Sequence, residues 1–209
     1  MMSDPFSVVR QAHRICAAYY QQIFPLLNET AQKLDTTFLY WDTWSFCKPP
    51  QSNKNPLESW KWDYLPALDF SVVFSRQKNP TAPMTCDDFV LDFNLITDSE
   101  LESERREKQY GKNEEPVATD LKVTVESAES YLRVFLFSAT TNEGIYDSPY
   151  DLWNSYENYP ETTSSVYHSD DDQIKGIGFV LPLSAIAHDN GINVLLQKIN
   201  EHLTIMQLQ

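Results

Sequence analysis

The sequence predicts an α+β fold: an antiparallel sheet of about five to six strands, flanked by a long N-terminal helix and a C-terminal helix in a two-layer sandwich. Three observations lead there. Hydrophobic residues make up 42% of the 209 positions, enough for a core. Helical periodicity is confined to the two ends of the chain. Between them, β-branched and aromatic runs follow one another without an intervening apolar helix, which favours antiparallel pairing over a doubly wound parallel sheet. The length suits a single domain over residues 1–209, with one excursion at about 139–173.

Asp4 followed by Pro5 reads as an N-cap with proline at the first helical position. Phe6, Val9, His13, Cys16, Tyr20, Ile23, Leu27, Ala31 and Leu34 then recur at steps of three or four, so they share one helix face, which places His13 on the buried side. Pro25 should kink or split this helix. From Thr36 the period becomes two, with Phe38, Tyr40, Asp42, Trp44 and Phe46 pointing one way and Leu39, Trp41, Thr43 and Ser45 the other. Residues 68–75 and 88–95 read as sequential antiparallel strands. Thr97 opens a T-x-x-E pattern, so residues 97–112 read as a solvated helix or connector, with a charged docking surface as the alternative. Residues 121–126 and 131–138 look like a hairpin, residues 174–183 form a sixth strand, and Asp189 caps a last helix with an apolar stripe from Ile192 to Met206.

The formal charge of −14 and pI near 4.5 argue against bare nucleic acid as a direct partner, because phosphate binding needs clustered Lys and Arg. The charge is unevenly placed. Residues 134–174 contain no Lys or Arg and carry −8, residues 1–133 carry −6, and the last 35 residues are neutral. Aromatic residues are interleaved with the carboxylates there, and Ser148, Pro149 and Asp151 set up a capped short helix. Rigid aromatic anchors among steering carboxylates suit a protein partner with a basic surface. The expected contacts are Tyr146, Tyr150, Asp151, Trp153, Tyr156, Glu157 and Tyr159, with Asp170, Asp171 and Asp172 as steering charges. The competing reading is an acidic loop whose rings cover the sheet's own edge.

Catalytic signatures are sparse. Asp88 and Asp92 share a strand face, and with Asp69 they offer three oxygen donors to Mg²⁺ in an alternative reading as a metal-dependent hydrolase or nuclease. The outward positions of a half-exposed strand give the same alternation. Asp120 and Lys122 supply only a short D-x-K pattern. Gly176 and Gly178 lack the rest of a dinucleotide fingerprint, none of the four histidines sits in a metal motif, and no cofactor is expected. The three cysteines are widely spaced, without disulfide or zinc patterning. Residues 1–10 lack a secretory signal's pattern, and no apolar run reaches the ~20 residues of a membrane span, so a cytoplasmic protein is expected. A further alternative, a structural subunit of a larger assembly, would bury a face around Trp41, Trp44, Trp60 and Trp62.

Overall fold

The computed structural model describes residue 4, residues 6–156 and residues 158–208. Helix α1 spans Phe6–Lys33, and strands β1 (Thr37–Thr43), β2 (Asp69–Arg76) and β3 (Phe89–Ile96) follow. Then come α2 (Ser103–Tyr110), β4 (Tyr131–Ala139), α3 (Pro149–Ser155), β5 (Tyr167–His168), β6 (Ile174–Pro182) and α4 (Gly191–Ile205). The six strands form one antiparallel sheet in the order β1-β2-β3-β4-β6-β5. This is the α+β arrangement that the sequence predicts.

Strand alternation divides the core in two. Phe70 and Phe74 of β2, Leu91, Phe93 and Leu95 of β3, and Val134 and Leu136 of β4 face Ile23 and Leu27 of α1 and Leu195, Ile199 and Leu203 of α4. The opposite face carries Val73, Val90, Phe135 and Phe137, which pack against Leu152, Tyr146 and Tyr156. No terminal helix reaches this second face. Its apolar part is covered by residues 140–173 with Met84 of the β2–β3 link, and its polar end by residues 97–130, where the Ser103 amide donates to Asp69 and Glu102 meets Arg133.

Several elements differ from expectation. Pro25 lies inside α1 without splitting it. His13 is exposed, because residues 6–15 extend past the core and none of their side chains is buried. Asp4 caps the helix as expected, accepting from the Phe6 amide at 2.9 Å, while Pro5 lies outside the described residues. Residues 121–126 form no strand, because both edges of β4 are already occupied by β3 and β6. Helix α2 begins at Ser103 with Glu102 as N-cap, not at Thr97, and α4 is preceded by Asn190 instead of Asp189.

Strand β1 breaks its own alternation. Its register against β2 slips between Phe38 and Tyr40, with Phe38 opposite Phe74 and Tyr40 opposite Val73, which leaves Leu39 as the extra residue of a bulge. Phe38 therefore joins Trp41 on the helix-bearing face, and Tyr40 and Leu39 pack on the other. Trp44 is also on the second face, donating to Ser71 Oγ at 2.8 Å. The four tryptophans do not form one face: Trp41 and Trp44 are on opposite sides of the sheet.

Candidate functional site

The candidate site is the outer surface of residues 140–173. Its frame begins with α3, where Ser148 Oγ accepts from the Asp151 amide at 3.1 Å and donates to the Asp151 carboxylate at 2.7 Å, the capping arrangement read from the sequence. One turn of helix then directs Leu152 and Tyr156 into the second core. Tyr156 meets Phe137 with ring centroids 5.0 Å apart, and Tyr159 meets Phe135 at 4.7 Å and Trp44 at 5.0 Å. Gly178 of β6 makes room for this packing: a Cβ there would lie 2.9 Å from the Phe135 ring and 3.2 Å from the Glu161 carbonyl.

A buried carboxylate fixes the rings. Asp92 is fully buried at the centre of β3, where its Oδ2 accepts from the Tyr159 hydroxyl at 2.6 Å and from Trp153 Nε1 at 3.3 Å. Trp153 Nε1 also reaches the Tyr159 oxygen at 2.8 Å. Desolvation raises the Asp92 pKa to about 6, against the opposing effect of hydrogen bonds from Tyr159, Ser71 and Trp153. The same desolvation, together with the neighbouring Asp92 charge, holds the Tyr159 hydroxyl well above its usual range. Asp92 thus acts as an internal anchor for the excursion.

The excursion's own carboxylates point outward. Glu143, Asp147, Asp151, Glu161, Asp170, Asp171 and Asp172 are all exposed, and Glu157 lies outside the described residues. The turn between β5 and β6 is tightly organised. Asp172 takes a left-handed backbone (φ 56), Ser169 Oγ donates to the Asp171 carboxylate at 2.6 Å, and His168 pairs with Asp172. The Ser169 hydroxyl and the Gln173 amide hold the Asp171 carboxyl below its ordinary pKa. Between this turn and the end of α3 is a cleft of about 320 Å³, lined by Tyr156, Asn158, His168, Asp170 and Asp171 among others. Asp170 and Asp171 place carboxylate acceptors on its wall, which suits a cationic side chain.

The described contact residues therefore separate into three groups. Asp151, Asp170, Asp171, Asp172 and Tyr150 are exposed, while Trp153 and Tyr159 are half-buried around Asp92. Tyr146 and Tyr156 are buried in the second core, where they support the surface from beneath, and Tyr156 also reaches the wall of the cleft.

The metal alternative has no converging geometry. Asp88 accepts from the Lys78 amide and from Thr85, and Asp69 accepts from Asn94 Nδ2 and the Ser103 amide, while Asp92 is bound to the rings. Among the described residues no group of three or more His, Cys, Asp or Glu is placed to hold a metal ion. Lys122 of the D-x-K pattern donates its backbone amide to Glu100 and its ammonium to the Gln109 carbonyl. Among the described residues six acids are buried (Asp63, Asp69, Asp88, Asp92, Glu100 and Glu102), a feature that sequence reading missed. Only the placement of Asp69 and Asp92 inside strand patterns hinted at it.

Among the described residues no helix is long and apolar enough to cross a membrane. Neither the comparison with curated proteins nor that with solved structures gives a match. A family described as PM0109 matches residues 1–207, nearly the whole chain, and the protein belongs to that family.

Proposed function

We propose that the chain is a stoichiometric, non-catalytic protein-binding module, of the inhibitor or immunity type, whose partner is a protein with a basic surface such as a nuclease or a DNA-binding factor. One observation carries the reading. The described carboxylates of residues 140–173 stand exposed on a frame fixed from below by buried rings, with no Lys or Arg anywhere between residues 134 and 174. A surface of one sign on a rigid support speeds encounter with an oppositely charged partner and loses little ordering entropy on docking. Asp170 and Asp171 accept a partner's Lys or Arg at the cleft, and Tyr150, at the other end of α3 against Tyr40, supplies exposed aromatic area. The cytoplasm is the proposed compartment, supported by three unpaired cysteines.

The test is affinity capture with the full chain from the native host, run in parallel with an Asp170→Asn, Asp171→Asn, Asp172→Asn variant. The expected result is a basic protein retained by the wild type, released by salt, and lost from the variant. Measured on the captured protein, the variant should associate more slowly with a flatter salt dependence, whereas Tyr150→Ala should mainly speed dissociation. Equal capture by wild type and variant would overturn the reading.

A further inference from the structure

The opposite end of the molecule carries a different surface, and it bears on how the chain assembles. Between α1 and the β1 edge of the sheet runs an apolar groove of about 590 Å³. It is lined by Tyr20, Phe24 and Leu27 of the helix and by Phe38 and Trp41 of β1, with Phe70 and Phe74 at its floor. Phe38 is 60% exposed and Trp41 41%. The β1 bulge, which brings both rings to this side, creates the feature.

The same helix supplies a segment of matching shape. Phe6, Val9, His13 and Cys16 continue the helix face that Tyr20, Phe24 and Leu27 turn toward the groove. Yet every residue from 6 to 15 is exposed, with Phe6 at 66% and Val9 at 47%. These ten residues form a projecting rod of about 15 Å. The packed part of α1 propagates these ten residues, but in the monomer they have no packed face of their own, and helices in proteins draw most of their stability from such a face. Charge favours one occupant in particular. The projecting segment holds Arg10, which pairs with Asp4 at 2.7 Å, and Arg14, while the chain outside residues 4–28 and 140–173 holds 21 Asp and Glu against 14 Lys and Arg. The projecting helix is thus opposite in sign to the body of another copy.

We propose that two copies of this chain pair through α1, with the projecting segment of each lying in the groove of the other. The pair is antiparallel and crosses near Cys16 and Ala17, where small side chains permit close approach. This sets Phe6 of one copy opposite Leu27 of the other, and Val9 opposite Phe24. A two-fold axis makes both contacts identical and leaves neither groove open. Twelve groove residues and ten helix residues per protomer fall within the ~20–30 residues a side of a standard interface. The inference does not rest on the acidic surface, which lies on the other face of the sheet.

The test is light scattering with sedimentation of the full chain at low and high concentration. The expected mass is twice the 24.2 kDa of the chain. A Phe6→Glu, Val9→Glu variant changes only exposed side chains, so it should melt as a folded protein yet run as a monomer, and Phe38→Glu should do the same from the groove side. In a Cys47→Ser, Cys86→Ser background, mild oxidation should join two copies through Cys16. A wild type that is monomeric throughout would overturn the proposal. So would a dimer that survives both variants and does not cross-link at Cys16, since its interface would lie elsewhere.

Discussion

Residues 97–130 and 140–173 are both connections of thirty-four residues, both acidic, and both return to the same face of the sheet. They are held by opposite means. The first brings its charges inward: Glu100 is fully buried, accepting from the Tyr110 hydroxyl at 2.5 Å and the Lys122 amide at 3.0 Å. Glu102 meets Arg133 at 3.0 Å, and Arg106 is buried with Nε on Ser45 Oγ at 3.1 Å. The second brings its rings inward and turns its carboxylates out. The first has ten acidic and five basic residues with one aromatic, Tyr110, whereas the second has eight acidic residues, no basic ones, and six aromatics. A polar connection with mixed charges can satisfy its own burial, whereas one without cations can bury only its uncharged residues, here mostly rings with Leu152. Net charge alone does not separate the two cases; the company of cations and rings does.

The contrast breaks most sharply at Tyr156. Tyr156→Ala removes a buried ring from the second core and should cost about 3–5 kcal/mol in denaturant unfolding, an effect on the fold itself. Glu100→Ala should cost about 2–3 kcal/mol by orphaning the Tyr110 and Lys122 donors, with faster amide exchange confined to residues 97–130.

The third prediction concerns pH. Burial raises both Asp69 and Asp92 to about 6 from 3.8, so between those values the folded chain holds protons that the unfolded chain has released. Stability from these groups is therefore greatest at low pH and declines as pH rises through about 6. Thermal melts should improve from pH 7.5 to pH 5, by about 1.4 kcal/mol per group. Asp92→Asn should remove part of that dependence. The gain reverses at lower pH, where carboxyls held low, such as Asp4 by Arg10 and Asp171 by Ser169, lose their partners on protonation. The smallest effect belongs to Asp170→Asn with Asp171→Asn, which should leave unfolding within about 0.5 kcal/mol because both side chains are exposed. A larger loss would show that the outward carboxylates support the fold.

Periodicity made the terminal helices and β2, β3, β4 and β6 legible, because each buries a face at a constant period. It failed at Phe38, where a single bulged residue reverses the faces of all that precede it, and at residues 121–126, whose alternating pattern has no free strand edge to pair with. His13 was misplaced for a related reason: a helix stripe shows which residues share a face, not how far the neighbouring core extends along it. At the candidate site, the carboxylates and the Ser148 cap were readable from spacing. The inward turn of Tyr146 and Tyr156 was not, because it depends on Phe135, Phe137 and the two glycines of β6, which only the sheet brings together.

The two long connections also constrain how the chain folds. The β2–β3 hairpin closes a link of twelve residues, 77–88, whereas β3–β4 and β4–β6 each close thirty-four, which costs about 0.9 kcal/mol more closure entropy apiece. Strand β4 is therefore doubly delayed, since neither neighbour can reach it cheaply. The expected order is an early β2–β3 hairpin, next β1 across its twenty-five-residue link, then capture of β4 and β6 together with their covers. Until that step Asp92 faces water and has no reason to hold a proton, so refolding below pH 6 should take up a proton late, in step with the ordering of Tyr159.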